Sequence, residues 1–121
     1  MLDLAGETVT LGEISGSGLV RNGTIRCTIS IPFGASDERE LPEFGTVTVS
    51  RVTVDFNAGG DQSVALGTVI PVARWTGGSA FNARAWKGVN LGKDVSAQFS
   101  LVDGVVLATA VPKPGVLLIV R

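Results

Sequence analysis

Hydrophobic and polar positions alternate along most of this chain, and the clearest case is Gly45–Phe56, GTVTVSRVTVDF. Thr46 to Phe56 is built from Val and Thr, β-branched types that suit a pleated, half-buried surface. The alternation changes phase once. Val47 and Val49 are apolar at odd positions, whereas Val52, Val54 and Phe56 are apolar at even positions. Successive side chains of a strand point to opposite faces, so one regular strand would send the two sets to opposite sides. Either a bulge at Ser50–Arg51 resets the phase and all five side chains share a core, or the strand passes from one sheet to another. At ~3.3 Å per residue the stretch spans about 36 Å, long against a usual strand of roughly 17–20 Å.

The same pattern predicts further strands on both sides. Glu7–Glu13 carries Val9 and Leu11 on one face, and Ser15–Gly18 reads as a flexible link. Leu19–Val20, Asn22-Gly23 and Thr24–Ile31 read as a hairpin, because Asn-Gly is a strong two-residue turn signal. In its second arm Ile25, Cys27, Ile29 and Ile31 form one face, with Thr24, Arg26, Thr28 and Ser30 on the other. Pro32 to Phe44 breaks the alternation and reads as an exposed loop carrying Asp37, Glu38, Arg39, Glu40 and Glu43, the densest charge in the chain. Asn57–Asp61 is a turn. Ser63–Leu66 and Thr68–Trp75 follow as strands, the second disturbed by Pro71, which predicts an edge or a bulge. Ala80–Trp86 is a strand and Gly88–Asp94 a loop. Val95, Ala97, Phe99 and Leu101 alternate up to Asp103-Gly104, a second hairpin signal before Val105–Ala110. Val116–Val120 is apolar on both faces and reads as a buried strand.

The pattern therefore predicts an all-β fold of eight to ten strands: a two-layer antiparallel sandwich, jelly-roll-like, or a barrel, with a flexible N-terminal arm. Residues 1–18 are the arm, either a detachable edge strand or a segment that reaches a neighbour. Residues 19–121 form a single β domain. Composition agrees: 17 valines, 10 threonines and 16 glycines among 121 residues favour short strands and turns.

Charge and chemistry narrow the function by exclusion. The net charge is −1 and the ten Lys and Arg are scattered, which argues against nucleic acid as a partner. No 18-residue apolar run predicts a membrane span, and the acidic start MLDLAGET is unlike a signal peptide, so the chain reads as made in a cytoplasm. With no histidine and no tyrosine, Ser-His-Asp, Cys-His and His-containing zinc arrangements are absent. Cys27 is alone and reads as a small buried thiol. Gly88–Asp94 is superficially like a phosphate loop but fails on glycine spacing and on Asp94, where Ser or Thr would be needed. Asp55–Asp61 alternates oxygen-bearing side chains as calcium loops do, but Leu66 stands at the twelfth position where an EF-hand has glutamate, so a plain turn is favoured. Trp75 and Trp86 suit a core, an interface or a sugar-stacking platform. The expectation is no enzyme, no cofactor and no metal.

The size, the Val/Thr/Gly/Ala-rich composition, the arm Leu2–Gly18 and the apolar strand at Val116–Val120 resemble the β-sandwich head decoration, or cement, proteins of tailed bacteriophages. That resemblance implies a structural protein of the virion, made in the host cytoplasm and seated on the capsid surface. It implies binding to the major capsid protein and to copies of itself as a dimer or trimer, with no cofactor, no nucleic acid and no membrane. The physical candidates for the interface are Leu2, Leu4, Val9 and Leu11 of the arm, with Asp37, Glu38, Arg39, Glu40 and Glu43 of the acidic loop. Two readings stay open beside it: a tail, neck or fibre component, and a carbohydrate-binding β-sandwich module using Trp75 and Trp86. A hydrolase using scattered acids is a third, remote one.

Overall fold

A computed structural model describes residues 2–14, 18–34, 40–76 and 80–113. Ten strands occur among them: β1 Leu2–Asp3, β2 Thr8–Ile14, β3 Gly18–Arg21, β4 Thr24–Ser30, β5 Pro42–Phe44, β6 Thr48–Asp55, β7 Val69–Trp75, β8 Trp86–Val89, β9 Val95–Val102 and β10 Val105–Pro112. A 3₁₀ turn, Ala83–Ala85, is the helical element described. The fold is all-β, as the alternation predicts. The run at 116–120 lies outside the described residues.

The strands form a six-stranded sheet in the order β1-β3-β5-β7-β10-β9 and a four-stranded sheet in the order β2-β4-β6-β8. From β1 to β8 the chain crosses between the sheets at every step. Each new strand lies parallel to the one laid down in that sheet a turn earlier. The four-stranded sheet is wholly parallel, and the antiparallel pairings are β7–β10 and β9–β10. This corrects the expected antiparallel arrangement. A period of two describes any strand buried on one face and carries no direction.

The correction is concrete at Asn22-Gly23. These residues do not close a hairpin between β3 and β4, which belong to different sheets. They form a corner, with Asn22 at φ 62°. The corners stack: Gly6 N–H donates to Asn22 O at 2.8 Å, and Asn22 N–H donates to Thr46 O at 2.7 Å. Hydrogen bonding thus runs through these bends as well as the strands, pairing backbone groups that would otherwise need other partners. Asp103-Gly104 does close a two-residue hairpin, with φ 49° and 75° and Val102 opposite Val105.

The phase change in the central stretch is a bulge. Ile25 pairs with Val49 and Arg26 with Arg51, so Ser50 is the extra residue of β6. Val47 is buried, Val49 packs against the core, and Val52, Val54 and Phe56 are buried on the same side. Pro71 likewise sits beside a register shift, where Val106 opposes Ala73 and Leu107 opposes Pro71. Three segments depart from the expectation. Ser63–Leu66 is irregular, Ala80–Trp86 contains the 3₁₀ turn, and Gly88–Val89 belong to β8. The loop at Pro32–Phe44 also ends early. Pro42–Phe44 is β5, inside the six-stranded sheet, and Phe44 is fully buried. Three residues between charges and a glycine are too short to show a period.

Both sheets contribute to one core. Phe44 of β5 meets Trp86 of β8 edge-on, with ring centroids 5.8 Å apart, and Trp86 meets Phe99 of β9 at 5.9 Å. Ile25, Val52, Val54, Val72 and Val106 fill the space beside these rings. Among the described residues no charged or polar side chain is buried.

Candidate functional site

The segment 2–14 supplies the edge strand of each sheet, β1 on one and β2 on the other. Its apolar residues divide by role. Leu2 is 41% exposed, whereas Leu4 is a core residue at 4%. Val9 and Leu11 are half-buried and pack against the core. Leu4, Val9 and Leu11 therefore hold this segment to the body, whereas Leu2 presents open apolar surface. Asp3 adds a polar clamp. Its Oδ1 accepts from Ala5 N–H at 2.8 Å and from Asn22 Nδ2 at 2.9 Å, while Oδ2 lies 3.5 Å from Arg21 Nε. These contacts favour the carboxylate, first through the Ala5 amide and then through Asn22, and lower its pKa.

The acidic candidates separate. Asp37, Glu38 and Arg39 lie outside the described residues. Glu40 is exposed. Glu43 is half-buried within β5, opposite Arg74, and accepts from Thr76 Oγ1 at 2.6 Å. It ties β5 to the end of β7 and is not part of an open loop.

Both tryptophans are core. Trp75 and Trp86 are each 5% exposed and touch Phe44, Phe81 and each other, with Phe99 on the far side of Trp86. Neither indole offers an open ring face to a sugar, so of the three readings left open for them the core is the one realised. Cys27 is buried in β4, and burial pushes its thiol up to about 12, leaving it protonated and unreactive at neutral pH.

Among the described residues no group of three His, Cys, Asp or Glu side chains converges as metal ligands would. At the Asp55–Asp61 turn, Asp55 Oδ1 already accepts from Asn57 N–H at 2.9 Å and Asn90 Nδ2 at 3.0 Å, which organises the turn without an ion. The Gly88–Asp94 stretch is not a phosphate cradle. A Cβ on Gly88 would stand 2.7 Å from that of Ala97, so this glycine serves close packing between β8 and β9. The stretch does line a groove of about 540 Å³ whose rim carries Lys87, Lys93 and Lys113.

What the sequence alone did not reveal is the order of residues across the outer face of the four-stranded sheet. The register sets Thr24 beside Thr48, Arg26 beside Arg51, and Thr53 between Thr28 and Lys87. Arg26, Arg51 and Lys87 are exposed. Residues some 25 positions apart come together only once the parallel register is known. Among the described residues no helix is long and apolar enough to cross a membrane. No protein-family model, curated protein or solved structure matches this chain.

Proposed function

We propose that this chain is a structural protein of a virus particle, a decoration or cement protein that binds the major capsid shell and copies of itself. The observation that carries the reading is the pair of long edge strands. Among the described residues, β2 pairs only with β4 and β9 pairs only with β10, so each offers one free backbone edge of seven and eight residues. Such edges are templates for adding a strand from another chain. Val102 on β9 is 49% exposed and Leu101 38%, apolar surface beside one of those edges. A core filled by aliphatic and aromatic side chains, with no convergent ionisable set among the described residues, suits a load-bearing role. We also read the two sheets as layers of a single sandwich-like body, on the strength of the ring contacts between them.

Native mass and co-sedimentation test the proposal. The purified protein is expected as a dimer or trimer that co-sediments with empty capsid shells. Placing lysines at the exposed positions Gly12 of β2 and Gln98 of β9 should weaken that association without unfolding the chain. A strictly monomeric protein that ignores shells sinks the proposal. Rings in isolation, with no shell binding, would favour a tail, neck or fibre component.

A further inference from the structure

The two sheets treat their charges differently. On the six-stranded sheet, residues in register across neighbouring strands carry opposite charge: Asp3 faces Arg21 and Glu43 faces Arg74. On the four-stranded sheet, Arg26 of β4 faces Arg51 of β6. Neighbouring strands lie ~4.8 Å apart, and like charges directly opposite cost stability. Both arginines are exposed, alternating with buried Ile25, Cys27 and Val52. Among the described residues neither makes an ion pair. Lys87 stands one strand over and two residues along from Arg51, since it faces Thr53. It also forms the lip of the groove that holds Lys93 and Lys113. Hydroxyls flank the arginines, with Thr24 and Thr48 on one side and Thr28 and Thr53 on the other. By register Glu13 of β2 pairs with Thr28. Asp55, further along, is engaged by Asn57 and Asn90.

We propose that the outer face of the four-stranded sheet, centred on Arg26 and Arg51, is a docking surface for an acidic protein segment. Guanidinium groups held side by side on a rigid sheet match carboxylates in forked, two-bond geometry, and threonine hydroxyls add further donors. The like-charge contact is unfavourable in the free protein and is relieved when carboxylates lie over it. The cationic patch spans three strands, roughly 10 Å at ~4.8 Å per strand. That suits a few carboxylates better than the longer run of phosphates that nucleic-acid affinity draws on. The inference deepens the assembly reading by naming a face and the chemistry of its partner. It is independent of the edge strands, whose test reads self-association.

Fluorescence anisotropy with labelled deca-glutamate tests it. The intact protein is expected to bind the peptide at low salt and to release it as salt rises. Arg26→Gln and Arg51→Gln should each weaken binding about tenfold, the loss of one charge-assisted contact. Arg51→Lys should fall between, since it keeps the charge and loses the fork. Arg74→Gln, on the other sheet, should leave the affinity unchanged. The melting temperature of Arg51→Gln should equal or exceed that of the parent, which separates lost binding from lost folding. Absence of peptide binding, affinity in Arg26→Gln and Arg51→Gln undiminished from that of the parent, or tighter binding of a single-stranded oligonucleotide of the same charge would each overturn the proposal. Should the lysine edge variants abolish self-association while peptide binding persists, this face and the edges act separately.

Discussion

Gly23 leaves room for Leu4. A Cβ on Gly23 would fall on the Leu4 Cβ and within 2.6 Å of the Glu7 carbonyl oxygen. Two successive corners of the coil therefore touch where one has no side chain. Gly23→Ala must push out a core leucine and a backbone carbonyl together. The expected cost is about 1–3 kcal/mol, the usual range for overpacking. Urea unfolding should show a lower midpoint, while Gly12→Ala, with nothing within 4 Å of the added methyl, should leave the midpoint within error or slightly raised. An unshifted midpoint for Gly23→Ala would mean the corners are not in contact.

Ser50 sets the phase of β6. Its side chain is exposed and its loss would matter little, but its place in the backbone lets Val49 and Val52 face the same core. Deleting Ser50 should turn Val52, Val54 and Phe56 outward and abolish cooperative folding, whereas Ser50→Ala should fold normally. Near-ultraviolet circular dichroism, which reports the packed indoles, distinguishes the two. A folded deletion variant would contradict the bulge.

The Asp3 clamp predicts a local pH response. Its pKa lies below the ordinary value of 3.8, so the contact is present above that value and is lost as pH falls through the lowered one. A carboxyl titration followed by NMR should give a midpoint under 3.8, accompanied by shifts at the Ala5 amide and the Asn22 side chain. Asp3→Asn should remove these shifts. Because the group is exposed, global stability should change little. A midpoint at or above 3.8 would dissolve the clamp.

Cys27 works in the opposite direction and at the other end of the scale. Its thiol is held up to about 12, against 9.0 when unperturbed. Between these values the unfolded chain loses a proton that the folded chain keeps, so stability falls as pH rises above about 9, with a limiting slope near 1.4 kcal/mol per pH unit. The difference in unfolding free energy between the parent and Cys27→Ala should shrink over that range, and a thiol reagent at pH 8 should react only after denaturation. Rapid labelling of the folded protein would refute this.

The sequence carried local information well and connectivity poorly. The bulge at Ser50 was one of two readings of the phase change between Val49 and Val52, whereas the Asp103-Gly104 hairpin and the disturbance at Pro71 came from residues whose backbone demands are strict. The parallel coil did not. An asparagine at positive φ suits a hairpin and a sheet-to-sheet corner alike, so Asn22 could not say which strand comes next. Phe44 was missed because β5 is too short to alternate, and the facing of Arg26 and Arg51 requires a register that no local pattern encodes. Of the proposed interface residues, Leu4, Val9 and Leu11 were legible as apolar, but not as parts of the body's own packing.

Thr8, Thr24 and Thr48 stand in one row, and Val52 and Trp86 in another. Successive laps of the coil thus consume 16, then 24, then 34 residues, while the strands that stack stay in step. Most of the surplus is spooled out at two bends, those that follow β4 and β6, and the rest lies between β7 and β8. New segments of varied length can be spliced there without disturbing the rows, which makes those two bends the natural places to graft a foreign epitope for display.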